Sequence, residues 1–456
     1  MTSRKQRGPR TRQERNTQTA REYFLEQAAA YFDDLKSAAK NAPPGQVVNY
    51  VEAAVIEQGQ ELLRQSLEIL IQEEIDEVEK MEETRECPKC KEKKRHLGYR
   101  SKEIFTARGK IKLERRYDEC RPCNLPEHAV DTILGLDAKY TVGVRRLIVR
   151  AGGAKAFAEA EDDLLEYCQL KISHMTIREI CQQEAVKMEA WHPSASAEIQ
   201  KDFIEAAGNV EVTMDGTIVN TTEGHKEVKI ILNSKREFAV SASPEEWGDR
   251  QLPRHTARVA SAAVEDREAF QQRVNELRRR LHLGATGDIS TLGDGAPWIW
   301  NISRDVFGPV RECLDIYHAL EHLSDTSKVL YGNGTDVQKE WYEEATLELL
   351  AGGFEGVEPR LQRAEAEKEW KKEQKENLRL LRGYLESNRE RLCYRQRLAE
   401  GRAIGSGQVE GACKNMIGVR LKQTGAQWRV PRLNRMTVIC SVRYSSHWKK
   451  YWAQAT

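Results

Sequence analysis

The chain has 456 residues, length for about three domains, and 31% of them are charged against roughly a quarter in an average soluble protein. No apolar run approaches the ~18 residues that span a bilayer, and the basic first twenty residues lack the apolar stretch of a secretory signal. An integral membrane protein is therefore excluded, and ten cysteines in so long a chain fit a reducing cytoplasm better than a disulfide framework.

A net charge of +1 hides strong segregation. Residues 1–21 carry seven Lys/Arg against one acid, residues 85–116 thirteen against four, and residues 411–456 nine against none. Residues 57–83 reverse the sign, with ten acids against Arg64 and Lys80. Separate basic blocks suit a polyanion held at several places, whereas solvated faces would account for any one block alone.

Taken in order, the chain opens on a basic arm (1–18) with no periodicity, expected to lack order until it meets a partner. A helical region follows (19–84), with helices over 19–41 and 50–83 broken at Pro43-Pro44. In the second, Ile56, Leu63, Leu67, Leu70 and Ile71 form an apolar stripe, fit for bundle packing or for pairing between chains. Residues 85–130 contain Cys87-Pro-Lys-Cys90 and Cys120-Arg-Pro-Cys123, separated by 29 residues. Two such knuckles complete a closed, structural zinc site. Between them Ile104–Thr106 and Ile111–Leu113 alternate as strands about Arg108-Gly109-Lys110, the hairpin of a zinc ribbon. A redox CxxC would explain only one of the pairs. Arg108 and Lys110 at the hairpin tip suit phosphate contacts. Residues 131–200 are helical, and the break at 169–172 before Ser173 has the rhythm of a helix-turn-helix, which ordinary helix packing can also produce. If it reads DNA, His174, Thr176 and Arg178 face the major groove.

From residue 205 the pattern turns to strands, the first part of a catalytic core (205–325). Strands are expected over 209–217, 227–232 and 237–241, then a helix over 256–283, a strand over 288–295 and a strand over 311–316 leading into a helix. Three strands, helix, strand, helix, strand, helix is the order of an RNase H-like domain, in which the first and fourth strands are neighbours. That adjacency would bring together Asp215 and Asp294, each followed by glycine, and paired carboxylates suit two Mg²⁺ or Mn²⁺ ions for attack on a phosphodiester. A helical insertion (326–403) separates them from Gly405-Ser-Gly-Gln-Val-Glu410, in the C-terminal segment (404–456), where Glu410 supplies a third acid. Glu390 and Glu400 are its rivals.

Asp215 in VTMDGT, Asp294 in GDGAPW and Glu410 in GSGQVEG resemble the acidic triad of bacterial insertion-sequence DDE transposases of the ISKra group, relatives of the Mutator-like superfamily. Cys313-Leu-Asp315-Ile-Tyr-His318 is similar to the C/D-x₂-H element of that superfamily, and the resemblance covers residues 85–445. It implies a multidomain α+β protein whose RNase H-like core carries a helical insertion and follows a zinc ribbon and helix-turn-helix. It also implies cleavage of transposon ends and their transfer to target DNA at a two-metal site, in a homodimer or larger synaptic assembly associated with the bacterial nucleoid. Asp315 and His318 would border the active site or touch DNA, Arg420 and Lys422 would line the DNA path, and Trp298 and Trp300 would stack on a flipped base or pack in the core. The alternatives are a catalytically inactive DNA-binding regulator derived from such an enzyme and a stand-alone nuclease.

Overall fold

A computed structural model describes residues 10–192, 197–284, 288–367 and 370–455. The chain forms two units, Met1–Gly152 with Phe157–Ile180, and Gly153–Ala156 with Cys181–Ala455. Among the described residues no helix is long and apolar enough to cross a membrane.

The first unit begins with two helices, α1 (Arg12–Thr17) and α2 (Ala20–Asn41). Each opens on a reciprocal cap: the Thr11 hydroxyl accepts from the Glu14 N–H while the Glu14 carboxylate accepts from the Thr11 N–H, and Thr19 and Glu22 repeat the pattern. The expectation of an unstructured arm over 1–18 thus fails over Arg12–Thr17; residues 1–9 lie outside the described residues. Helix α3 (Val47–Val78) starts three residues earlier than its periodicity suggests, directly after the Pro43-Pro44-Gly45 turn.

The hairpin is longer than the two short runs expected. Strands β1 (Arg95–Thr106) and β2 (Gly109–Cys120) pair antiparallel with Ile104 opposite Ile111, and β3 (Leu125–Glu127) adds to the end of β2. Twelve-residue strands account for the wide gap between the cysteine pairs. Ile104, Ile111 and Leu113 form a small core with Ile75 and Val78 of α3. The β2 backbone is also bound from α3: the Lys112 N–H donates to Glu68 (2.9 Å), and the Glu114 N–H donates to Gln72 (2.8 Å). These buried side chains satisfy strand groups that would otherwise lack a partner. Helices α4 (Ala129–Ile133), α5 (Val142–Gly152), α6 (Phe157–Cys168) and α7 (His174–Trp191) follow. The α6–α7 break falls where expected, with Ile172, Ile177 and Ile180 buried.

In the second unit, α8 (Ala197–Glu205) precedes β4 (Asn209–Thr221), β5 (Gly224–Arg236), β6 (Ala257–Ala263), α9 (Arg267–Arg280), β7 (Ile289–Gly293), α10 (Pro297–Phe307), β8 (Arg311–Leu314) and α11 (Ile316–Tyr331). The five strands lie in the order β6-β5-β4-β7-β8. The first three are antiparallel neighbours, whereas β4–β7 and β7–β8 are parallel. One expectation needs correction: the third strand is Ala257–Ala263, not residues 237–241. Its small residues let a later helix approach closely, as the Thr437 hydroxyl donates to the Ala262 carbonyl (2.7 Å). The 237–241 segment instead forms a strap, with the Ala239 N–H donating to the Gly401 carbonyl (2.9 Å).

The insertion consists of α12 (Asp336–Glu367), α13 (Lys372–Ser387) and α14 (Tyr394–Ala399). Helix α12 bends at Gly353, whose φ of +59° suits glycine and whose missing side chain would meet the Leu392 carbonyl. The chain ends with α15 (Gly407–Ala412), a π-helical turn over Cys413–Gly418, α16 (Val419–Leu421), α17 (Val430–Tyr444) and α18 (Trp448–Gln454). Helices α9 to α14 share one core with the sheet, including Val212, Met214, Phe270, Ile302 and Leu349.

Candidate functional site

In the first unit, β2 ends at Cys120 while the turn before β1 carries Cys87 and Cys90, so the long hairpin carries both knuckles to one point. Four thiolates at about 2.3 Å from one zinc ion lie about 3.8 Å apart. Here Cys87 and Cys123 are 3.9 Å apart, Cys90 and Cys120 3.4 Å, and all four sulfurs lie within 4.8 Å of one another. Backbone N–H groups of Cys90 and Lys89 draw the Cys87 thiol down to about 6. Cys123 is pushed up to about 12, chiefly by its hydrogen bond with Cys90, and burial raises Cys120. The four sulfurs are close enough to bind one metal ion, and the residues fit a metal such as zinc.

In the second unit, β4 and β7 pair in parallel through Thr213–Leu292. Asp215 and Asp294 each lie two residues further on, at the same end of neighbouring strands, which run about 4.8 Å apart. Asp215 accepts from its neighbour's Gly216 N–H (2.7 Å) and from the Cys413 thiol (3.0 Å). Burial pushes its carboxyl above the usual range and the charge of Asp294 adds to this, against those hydrogen bonds and the pull of His318. The Cys413 thiol is itself raised by burial and by Asp215, so it remains a donor. Asp294 accepts from the Ala296 N–H (3.0 Å), and the Tyr384 hydroxyl holds the Asp294 carbonyl (2.9 Å). Gly295 turns the chain there at φ +96°, with Tyr384 against the space a side chain would fill.

Glu410 lies in the first turn of α15, three residues before Cys413 and so on the same helical face. It is exposed and bound to Lys414. Among the described residues only the cysteine quartet brings three or more metal-ligating atoms within 4.8 Å of one another; Asp215, Asp294 and Glu410 do not converge that closely.

Asp315 corrects the expectation of an active-site edge. It is 2% exposed and caps α11, accepting from the Tyr317 N–H (2.8 Å), the Ser406 N–H (2.9 Å) and the Ser406 hydroxyl. Its work is to tie the start of the GSGQVEG segment to the end of β8. His318, one turn into α11, is partly exposed, lies 3.8 Å from Glu321 and acts electrostatically on Asp215. Arg420 is also corrected: it is 3% exposed and stacked on Trp428, so it does not line an open path. Lys422 is exposed and donates to the hydroxyl of Thr217, two residues beyond Asp215. Trp300 is buried against Arg391, and Trp298 packs edge-on against Phe270, which is core packing in both cases.

In the first unit, Arg108 and Lys110 are exposed at the hairpin tip, Arg108 donating to Gln60 (3.3 Å) and Lys110 paired with Glu103 (3.2 Å). His174 is exposed and bonded to Glu161 (2.9 Å), Thr176 bonds with Ser173 (3.1 Å), and Arg178 is half-buried. Sequence reasoning missed Cys413, Ser406 and Tyr384. Cys413 had a signal, the three-residue spacing from Glu410; the other two act across long sequence gaps.

Fold and sites define a mixed α+β protein with a four-cysteine centre able to hold a metal such as zinc. The chain belongs to the Uncharacterised protein family (UPF0236), whose model matches residues 44–449. No curated protein matches it.

Proposed function

We propose that the protein is a DDE transposase with an RNase H-like core, which cleaves the ends of a mobile DNA element and joins them to target DNA. The observation that carries this reading is Asp215 on β4 and Asp294 just past the end of β7, each two residues beyond the parallel pair Thr213–Leu292, with Glu410 on α15, directly before the turn whose Cys413 donates to Asp215. Strand order β6-β5-β4-β7-β8, with the first three strands antiparallel and the rest parallel, agrees with it. So does the likeness of the VTMDGT, GDGAPW and GSGQVEG motifs to ISKra-group transposases.

Carboxylate oxygens are the donors that hard divalent cations take, and a cation would offset the like charge of Asp294 that, with burial, raises Asp215; the three acids would have to draw closer to share one. When bound, a pair of Mg²⁺ or Mn²⁺ ions would polarise the scissile phosphate and stabilise the charge of in-line displacement. Asp215 and Asp294 would hold them from the strand ends. Glu410 would join them on parting from Lys414, and the Cys413 thiol would give up its hydrogen bond to Asp215. Lys422, exposed and bonded to the Thr217 hydroxyl, would offer its positive charge to the phosphate backbone, and His318 a ring nitrogen. The exposed Arg108 and Lys110 would grip phosphates of the end DNA, and His174 and Arg178 would meet the groove. Synapsis of two ends calls for a homodimer or larger assembly.

The test uses the zinc-loaded protein, Mg²⁺ and duplex DNA from the borders of its own gene. Wild type generates 3′-hydroxyl ends and joins them to a second duplex. Asp215→Asn and Asp294→Asn retain end binding and lose both products. Sequence-specific binding without any cleavage by wild type would favour the second reading, an inactive DNA-binding regulator. The observation on its side is that the three acids stand apart, with Glu410 bound to Lys414.

A further inference from the structure

The acidic site makes no use of the basic arm, part of which the chain binds to its own acids. Helix α1 has the sequence RQERNT, without one apolar side chain, and none of its residues is buried. It therefore docks on the first unit through charge, hydrogen bonds and stacking. Arg15 bridges two elements: its Nε lies 2.9 Å from the Asp76 carboxylate of α3, and its Nη2 lies 2.8 Å from the Glu114 carboxylate of β2. Both contacts have hydrogen-bond geometry. The Arg12 guanidinium stacks on Tyr99 of β1, 3.8 Å from the centre of the ring.

The seat of the arm is loosely packed. A cavity of about 400 Å³ opens there, lined by Arg12, Arg15, Asp76, Glu79, Arg85 and Arg116 among others. With little apolar contact to hold α1, the ion pairs are its main attachment, and a denser array of anions can compete for them. The carboxylates of Asp76 and Glu114 stand to Arg15 as phosphate oxygens would, since a guanidinium takes either kind in pairs. Residues 1–21 carry seven Lys/Arg against one acid, so the arm as a whole suits a polyanion. Its seat lies on the same β1–β2 hairpin whose tip carries Arg108 and Lys110. A duplex gripped there presents one charge per about 1.7 Å of its axis and gains from every counterion that an arginine releases.

We propose that the basic arm and the acids of α3 and β2 form a clasp that duplex DNA opens, its phosphate backbone drawing Arg15 from Asp76 and Glu114 and Arg12 from Tyr99. In the closed clasp the charge of the arm is spent within the first unit. In the open one it adds to the grip of the hairpin, so Asp76 and Glu114 lower the affinity for DNA. The inference rests on the reading that the chain binds DNA, whether as a transposase or as a regulator.

The experiment measures binding of the full-length, zinc-loaded protein to a fluorescent duplex of random sequence, by anisotropy over a range of salt, with thermal unfolding to confirm that each variant is folded. The double variant Asp76→Asn with Glu114→Gln should bind about three- to tenfold more tightly than wild type, with a salt dependence steeper by about one ion. Glu82→Gln with Glu83→Gln removes the same charge from exposed residues outside the Arg15 ion pairs and should gain less than about twofold. In an Arg15→Gln background, the Asp76 and Glu114 substitutions should change affinity no more than that control does. A double variant that binds duplex no more tightly than the control overturns the clasp, and so does an undiminished gain in the Arg15→Gln background. A gain for heparin with none for duplex overturns DNA as the partner that opens it. Wild type and variants that all fail to bind duplex overturn the clasp together with the DNA-binding reading, whereas wild-type binding without a gain in the double variant overturns the clasp alone.

Discussion

Replacing Asp315 with alanine tests how the acid-bearing segment is held. The substitution removes an α11 cap, worth about 1 kcal/mol, and leaves the buried Ser406 N–H without its acceptor, at about 1–3 kcal/mol. Loss of the bond from the Ser406 hydroxyl, about 1–2 kcal/mol, brings the total to about 3–6 kcal/mol. That is a large share of the 5–15 kcal/mol that typically stabilises a folded domain. Urea unfolding followed by tryptophan fluorescence measures it. Ser406→Ala, which removes only the hydroxyl bond, should cost about 1–2 kcal/mol, and the double variant should be less destabilised than the sum by more than about 1 kcal/mol. Asp315→Asn should fall between wild type and alanine, because its amide nitrogen cannot accept from the Ser406 N–H. A loss below about 1 kcal/mol for Asp315→Ala, with strict additivity to Ser406→Ala, would refute the view that Asp315 ties GSGQVEG to β8.

Other consequences follow from the same geometry. Cys120→Ser should lower bound zinc from one ion per chain to none, measured by elemental analysis, and expose the β1–β2 hairpin to protease. His192 and His447 form a buried pair at 2.9 Å, and burial lowers both, His447 to about 4. A histidine kept neutral in the folded state takes up protons on unfolding, so its contribution is present above pH 6.5 and is lost as pH falls from 6.5 towards 4. The loss for His447 is about 3 kcal/mol, and His447→Gln should flatten that part of a stability–pH curve. Asp215 has the opposite sense: its carboxyl is raised, so keeping it ionised at neutral pH destabilises the fold. Without divalent cations, Asp215→Asn should therefore be more stable than wild type at pH 7, with the advantage vanishing as pH falls through the carboxylate range.

Patterns of local spacing were legible in the sequence, and contacts made by small residues over long range were not. The paired CxxC motifs announced a four-sulfur centre, because two-residue gaps are set by knuckle geometry wherever they occur. Asp215-Gly and Asp294-Gly closed strands that the alternation of Val210, Val212 and Met214 and of Ile289 and Leu292 made visible, and those strands are neighbours. The strand Ala257–Ala263 carried no such alternation, since alanines and serine suit a helix as well. Only the approach of α17 makes it a strand of the sheet. Charge was a poor guide to exposure: Arg420 reads as part of a basic tail but is buried on Trp428, and Asp315 reads as a border of the active site or a DNA contact but is spent on backbone N–H groups of α11 and Ser406. In both cases the deciding partner lies in a segment whose approach no local pattern announces.

Sharing of divalent cations by Asp215, Asp294 and Glu410, as proposed, is read out by Mn²⁺ binding followed by electron paramagnetic resonance. Wild type should bind Mn²⁺ in competition with Mg²⁺, while Asp215→Asn and Asp294→Asn should lose that binding and Glu410→Gln should weaken it. Equal Mn²⁺ binding by wild type and both asparagine variants would show that Asp215 and Asp294 hold no cation.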